Sequence, residues 1–215
     1  MKIKVKITTS GNMKYYGCEK GTIKEIEFED YVKCVVASEI GNASIEACKA
    51  QAVAARTFAA AQGVLEGKVI SDDASKAQTF RAERNNYKNC NAAVEATKGE
   101  VLMYGGKYIG AYFSHSNGGR TYSCEEVWGS KRPYLITRKD EWTLASGIKK
   151  NGHGIGLSQA GCKYAGANGV GYREILSFYY PYTTLKKIEV NDTRDILIAA
   201  ENTVSAALKK IEGML

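Results

Sequence analysis

The sequence predicts an α+β fold: a single domain in which a central alanine-rich helix packs against short antiparallel strands, followed by a C-terminal amphipathic helix. Three observations predict it. The chain opens with MKIKVKITTS, where lysines alternate with apolar residues at the period of a half-buried strand. Ala47, Ala50, Ala52, Ala54, Ala55, Ala59, Ala60 and Ala61 leave one helical segment small on nearly every side. Further on, short β-prone runs flank the Gly105-Gly106 pair, as in a hairpin. A chain of 215 residues can bury a sizeable core. With no low-complexity linker in view, residues 1–187 read as the domain and 188–215 as the helical appendage.

The elements follow in order. Ile3, Val5 and Ile7 give the first strand, and Ile23, Ile26 and Phe28 a second after the Lys20-Gly21 turn. Asp30 is placed to cap a helix from Tyr31 to Ile40, which Gly41-Asn42 ends. Ser44 caps the alanine-rich helix, with Glu46 in its first turn, and that helix runs to about Gly63. After the polar stretch SDDASKAQTFRAERNN a third helix is expected over Asn89 to Thr97. Strands are expected at Glu100 to Tyr104 and Tyr108 to Phe113, then loop with short strands to Ile155. Helices should cover Ser158 to Ala167 and Tyr172 to Tyr179. From Asp192 on, Ile196, Leu197, Ala200, Val204, Ala207, Leu208 and Ile211 recur at helical spacing. This last helix packs on the domain or pairs two copies as a homodimer.

The net charge of +7 suits an anionic partner, but the lysines and arginines are spread along the chain. No recognition helix, zinc finger or aromatic RNA-binding signature accompanies them, which argues against nucleic acid. The N-terminus lacks the continuous apolar core of a signal peptide, and no apolar run is long enough to cross a bilayer. No export address or membrane segment is therefore visible. The six cysteines form no C-x-x-C pair, and Cys34 and Cys48 sit in apolar helical runs where a buried free thiol is expected.

Several residues could carry chemistry. Val32, Val35, Val36 and Glu39 fall in one helical sector, so Glu39 is expected on a dry face. Burial there would raise its pKa and suit it to general-acid work. Arg56, inside the alanine-rich helix, needs a partner, and Glu39 is the obvious one. In NGHGIGLSQAG, glycines surround His153 and let the backbone approach a ligand, with a helix N-terminus following near Ser158. FSHSNGGRTYS offers hydroxyls, an amide and exposed backbone, which suit a sugar. His115 with Cys124 and His153 with Cys162 share a His-x8-Cys spacing, a combination of zinc-ligand types at an unusual separation. No Gly-x-Ser-x-Gly elbow supports a serine hydrolase.

Three blocks, FEDYVKCVVASEIGNASIEACKAQAVAARTFA, SNGGRTYSCEEVWGSKRPYL and GHGIGLSQAGCKYAGANGVGYREILSFYYPYTTL, resemble the stage II sporulation protein D / LytB family. The resemblance covers most of Phe28 to Leu185. It implies a lytic transglycosylase working on peptidoglycan glycan strands at the cell wall, without a cofactor or metal. Glu39 matches the family's acid/base glutamate and Arg56 its A-Q-A-V-A-A-R-T arginine. Ser116, Gly118, Gly119 and Thr121 match the S-x-G-G-x-T loop; His153, Ser158 and Gln159 match the G-H-G-x-G-x-S-Q block. The implied role of these residues, with Arg56, is to position sugar. One carboxylate suffices for such an enzyme, where ordinary glycoside hydrolysis uses two. The expected reaction cleaves the MurNAc–GlcNAc β-1,4 bond and leaves a 1,6-anhydroMurNAc end. The chain departs from the family in having Ile40-Gly41 where Met-Pro is usual. SDDASKAQTF also lacks the Cys and His that some members use for zinc. The alternative reading is a non-catalytic glycan-binding module.

Overall fold

The structure, a computed structural model, describes residues 1–189, 203–205 and 207–208. The opening alternation does form a strand, β1 (Lys2–Lys6), with Ile3 and Val5 buried between exposed lysines. A short helix, α1 (Ser10–Tyr16), intervenes before β2 (Ile23–Glu27), which pairs antiparallel to β1 with Val5 opposite Lys24. No apolar period announces α1; it is held instead by buried Asn12, whose amide donates to Asp72 and to the Phe80 carbonyl.

Helix α2 (Phe28–Glu39) starts a turn earlier than Asp30 suggested, directly at the end of β2. Asp30 lies in its first turn, where the positive end of the helix dipole favours a carboxylate. Helix α3 (Ile45–Ala61) has the predicted start: Ser44 accepts a hydrogen bond from the Ala47 amide. Its alanines are buried up to Ala60, and it contacts α2 on one side. After one 3-10 turn, β3 (Val69–Ser71) pairs parallel to β1 and completes the sheet β2-β1-β3.

Helix α4 (Lys88–Ala96) packs on α3 and leads into β4 (Glu100–Tyr104) and β5 (Lys107–Tyr108). The expected strand from Tyr108 to Phe113 is interrupted. Ala111 N donates to Ile109 O and Tyr112 N to Gly110 O, two tight turns that break the ladder before β6 (Phe113–Ser114). The chain continues through β7 (Arg120–Thr121), α5 (Cys124–Trp128), β8 (Arg138–Lys139), α6 (Glu141–Ser146) and β9 (Leu157–Ser158). It ends in α7 (Gln159–Ala167), α8 (Tyr172–Tyr179) and β10 (Thr184–Lys187). Strands β6 and β9 pair in parallel, and β7 and β8 antiparallel. β10 returns to pair with β4, an edge that the polar run TLKK did not announce.

Both α7 and α8 pack on α3, so the alanine-rich helix is the centre of an α+β domain. Its small residues permit close approach. A Cβ at Gly166 of α7 would lie 2.6 Å from Ser44 Oγ and 2.8 Å from Ala47 N. Residues 203–205 and 207–208 are helical, with Val204 and Leu208 exposed. The rest of the predicted C-terminal helix, and with it the homodimer expectation, lies outside the described residues. No helix among the described residues is long and apolar enough to cross a membrane.

Candidate active site

Glu39 is the last residue of α2, half-buried, and its carboxylate joins three segments. Oε1 accepts the Thr79 backbone N–H at 2.6 Å, and Oε2 accepts Gln159 Nε2 at 3.1 Å. Thr79 is held in place by its neighbour Gln78, whose amide reaches Ala55 O and Tyr31 OH, both at 3.2 Å. Gln159 opens α7 and is 4% exposed.

Two expectations about Glu39 need correction. It is only half-buried, because the helix ends there and its side chain reaches the domain surface. Arg56 is not its partner. Arg56 is fully buried and forms a bidentate pair with Glu29, Nε to Oε1 at 2.9 Å and Nη2 to Oε2 at 2.6 Å. Two further donors reach the Glu100 and Val94 carbonyls. A guanidinium so enclosed does not meet a ligand in the groove. Four of its five N–H donors are spent on holding α2, α4 and β4 around α3.

The SNGGRT loop also differs from its expected use. Ser116 is fully buried, donates to Ile148 O at 2.9 Å and accepts Gly118 N at 3.2 Å. Thr121 is 2% exposed and donates to Ile136 O at 2.8 Å. These hydroxyls fold the loop; they do not face solvent. Ser158, 1% exposed, caps α7 by accepting Gly161 N at 3.3 Å and accepts Asn117 N at 3.4 Å. Of this loop Gly118 is exposed, while Gly119 is buried against Leu144.

The loop and α7 share a buried anchor, Asp140. Its Oδ2 accepts Asn117 Nδ2 at 2.7 Å, Thr143 Oγ1 at 2.7 Å and Tyr179 OH at 2.8 Å, and its Oδ1 accepts Thr143 N at 3.0 Å. Thr143 Oγ1 lies 2.8 Å from Ser158 Oγ. Since the Thr143 proton goes to Asp140, Ser158 supplies the proton of that second contact. One carboxylate thus fixes the loop, α6, α8 and the cap that aims Gln159 at Glu39. Burial and the Asp140 charge push the Tyr179 phenol well up, which keeps it a donor.

His153 is half-buried, and its Nδ1 accepts Ile155 N at 2.9 Å. Its pKa is lowered, first by burial and also by the Lys150 charge, against an opposing hydrogen bond with the Phe113 backbone. The ring is therefore a neutral imidazole near pH 7, protonated on Nε2. Gly152, Gly154 and Gly156 all have positive φ, as the alternating pattern predicted. At Gly156 a Cβ would stand 2.1 Å from Tyr112 O.

A cleft of about 400 Å³ opens beside Gln159, lined also by His115, Ser146, Ile148, Lys163 and Tyr164. A cavity of about 350 Å³ at Tyr15, Tyr16, Asp30, Lys33 and Phe80 holds none of the predicted site residues. The four His-x8-Cys residues are engaged separately: Cys124 Sγ lies 3.3 Å from Ser130 Oγ, and Cys162 donates to Ala47 O. Among the described residues no group of three or more His, Cys, Asp or Glu is placed to hold a metal ion.

Sequence reasoning missed Thr79, Asp140 and Thr143. A backbone amide such as that of Thr79 leaves no trace in side-chain identity. Asp140 was within reach, since an Asp preceding a helical run is an N-cap signal.

Comparison with known proteins gives a family match and several relatives. Residues 16–104 match the family model described as "SpoIID: Stage II sporulation protein". An amidase enhancer of Bacillus subtilis (strain 168) is 44% identical over 107 residues, covering 47% of this chain and 14% of that protein. Stage II sporulation protein D of Bacillus amyloliquefaciens is 33% identical over 150 residues, and that of Bacillus subtilis (strain 168) 32% over 149. Each of these two matches covers 61% of this chain and 43% of the relative. The chain thus spans less than half the length of these curated relatives.

Proposed function

From the match of residues 16–104 to the SpoIID family model, we propose that the chain is a lytic transglycosylase acting on peptidoglycan at the cell wall. The observation that carries this is Glu39: one half-buried carboxyl group held by two neutral donors, of which Gln159 lines a cleft, and bonded to no second carboxylate among the described residues.

Glu39 first gives its proton to the glycosidic oxygen as the bond from MurNAc C1 to that oxygen breaks. GlcNAc leaves with a free 4-hydroxyl. Glu39, now a carboxylate, takes the proton of the muramyl C6 hydroxyl, and O6 bonds to C1. The 1,6-anhydro ring closes without water, and the proton taken equals the proton given. The Thr79 amide and Gln159 Nε2 stabilise the carboxylate between the two transfers. Gln159, His153 and the exposed backbone at Gly118 position sugar. Arg56, Ser116, Gly119, Thr121 and Ser158 hold those groups from behind.

Purified protein incubated with glycan strands tests the reading. Mass spectrometry is expected to find anhydromuramic ends with wild type and none with Glu39→Gln. Equal release by both proteins ends it. A second reading, a glycan-binding module without turnover, draws on Ile40-Gly41 directly after Glu39, where the family pattern has Met-Pro. Binding by both proteins with cleavage by neither would favour it.

A further inference from the structure

One aromatic group on the surface has no part in the chemistry above. Trp128 ends α5 and is 47% exposed, although it is among the largest apolar side chains of the molecule. It is not a loose residue. Its ring centroid lies 4.8 Å from Tyr112, edge to face, and 5.1 Å from His153. Tyr112 in turn meets Phe58, which is almost buried in α3. The indole is thus braced from the core while about half of its surface stays in solvent.

The bracing extends to Glu39. Gly154 N donates to Ser114 Oγ at 3.1 Å, Phe113 and Ser114 pair with Leu157 and Ser158, and Ala160 N donates to His115 O. This ladder makes one rigid strip with His153 at one end and Gln159 at the other. Five residues separate them, so their backbones lie at most about 20 Å apart. Polar groups lie beyond His153: the Tyr122 ring stands against Gly154, with Lys150 Nζ 3.9 Å and Arg120 4.4 Å from the Tyr122 centroid.

A single braced aromatic ring with a histidine against it is a poor protein interface, which needs a broad apolar patch. It suits a small amphipathic ring. An N-acetylated amino sugar offers a face of C–H groups to the indole and an amide and hydroxyls to the polar groups beyond. From this arrangement we infer that Trp128, with His153 and Tyr112, forms a second sugar subsite that stacks an N-acetylated amino-sugar ring away from the bond being broken. The inference rests on the glycan reading of Glu39. It extends that reading to a polymer held at two points on one strip.

The chain has two tryptophans, and the other, Trp142, packs on Phe178 and Tyr179. Trp142→Phe therefore leaves Trp128 as the sole indole reporter. Titrating that variant with an N-acetylglucosamine tetramer is expected to shift its emission to the blue in a saturable way. Calorimetry is expected to show at least about tenfold weaker tetramer binding by Trp128→Ala, with most affinity kept by Trp128→Phe. Unmoved emission at saturating sugar, or equal binding by Trp128→Ala, overturns the subsite. The two readings fail separately. Cleavage with a silent Trp128 keeps the reaction and removes the subsite. A responding Trp128 without cleavage by wild type keeps the subsite and removes the reaction.

Discussion

Helix α2 carries two carboxylates in its first turn, Glu29 and Asp30, and a third at its last residue. Glu29, at the start, is 3% exposed and grips Arg56 through both oxygens. Glu39, at the end, is half-buried and accepts only a backbone amide and a carboxamide. The positive end of the helix dipole lies at Glu29 and the negative end at Glu39. The same residue type on the same helix thus faces a buried guanidinium at one end. At the other it faces donors that carry no full charge, one of them, Gln159, lining a cleft. A carboxylate gripped through both oxygens inside the core is closed to a ligand. One at the surface is open to it.

This contrast can be broken by experiment. Glu39→Gln should lower glycan cleavage by roughly 100- to 10,000-fold, the usual scale of lost acid–base catalysis, with an unchanged melting temperature. A melt that collapses would show that both ends of α2 are structural. Glu29→Ala should do the reverse and destabilise folding by about 3–5 kcal/mol, since it strands a buried guanidinium. In chemical denaturation the double variant Glu29→Leu/Arg56→Met should recover most of that loss. If the double variant is as unstable as the single one, the pair does more than neutralise itself.

Smaller effects sharpen the picture. Gln159→Ala removes one hydrogen bond of about 1 kcal/mol from Glu39 and should slow turnover by roughly five- to tenfold with little change in stability. An unchanged rate would leave Thr79 as the sole partner that matters. The smallest effect is one of pH. The folded pKa of His153 lies below its ordinary value, so the unfolded chain binds this proton more tightly. The stability tied to neutral His153 is full above about pH 6.5 and is lost as the pH falls through the folded pKa. His153→Phe should flatten that part of the stability–pH curve.

The two ends of α2 also show what was legible in the sequence. Helical phase placed Glu39 among Val32, Val35 and Val36, and it places Glu29 beside Val32 and Val36 equally well. Phase reveals which face a residue occupies and says nothing of what stands opposite, so Arg56 was matched to the wrong glutamate. Helix α3 was legible because Ser44 and its alanines carry the signal locally. The parallel pairing of β6 with β9 and the return of β10 to β4 were not, because two-residue strands and the run TLKK gain their form from distant partners. Within the site, Ser116, Thr121 and Ser158 were expected to face a sugar. Their hydroxyls turn inward because buried backbone groups such as Ile148 O and Asn117 N need partners.

The Glu39–Gln159 contact joins residues 120 positions apart. In folding terms it closes one of the longest loops in the domain, and contacts of that separation form slowly. The alanine-rich α3 can gather α2 and α4 from nearby sequence well before α7 arrives. Until it does, Glu39 has lost its water on one side and lacks Gln159 on the other. The carboxyl group acquires its full set of partners only when the two halves of the chain meet, so a nascent or truncated chain ending before α7 would carry the glutamate without the site.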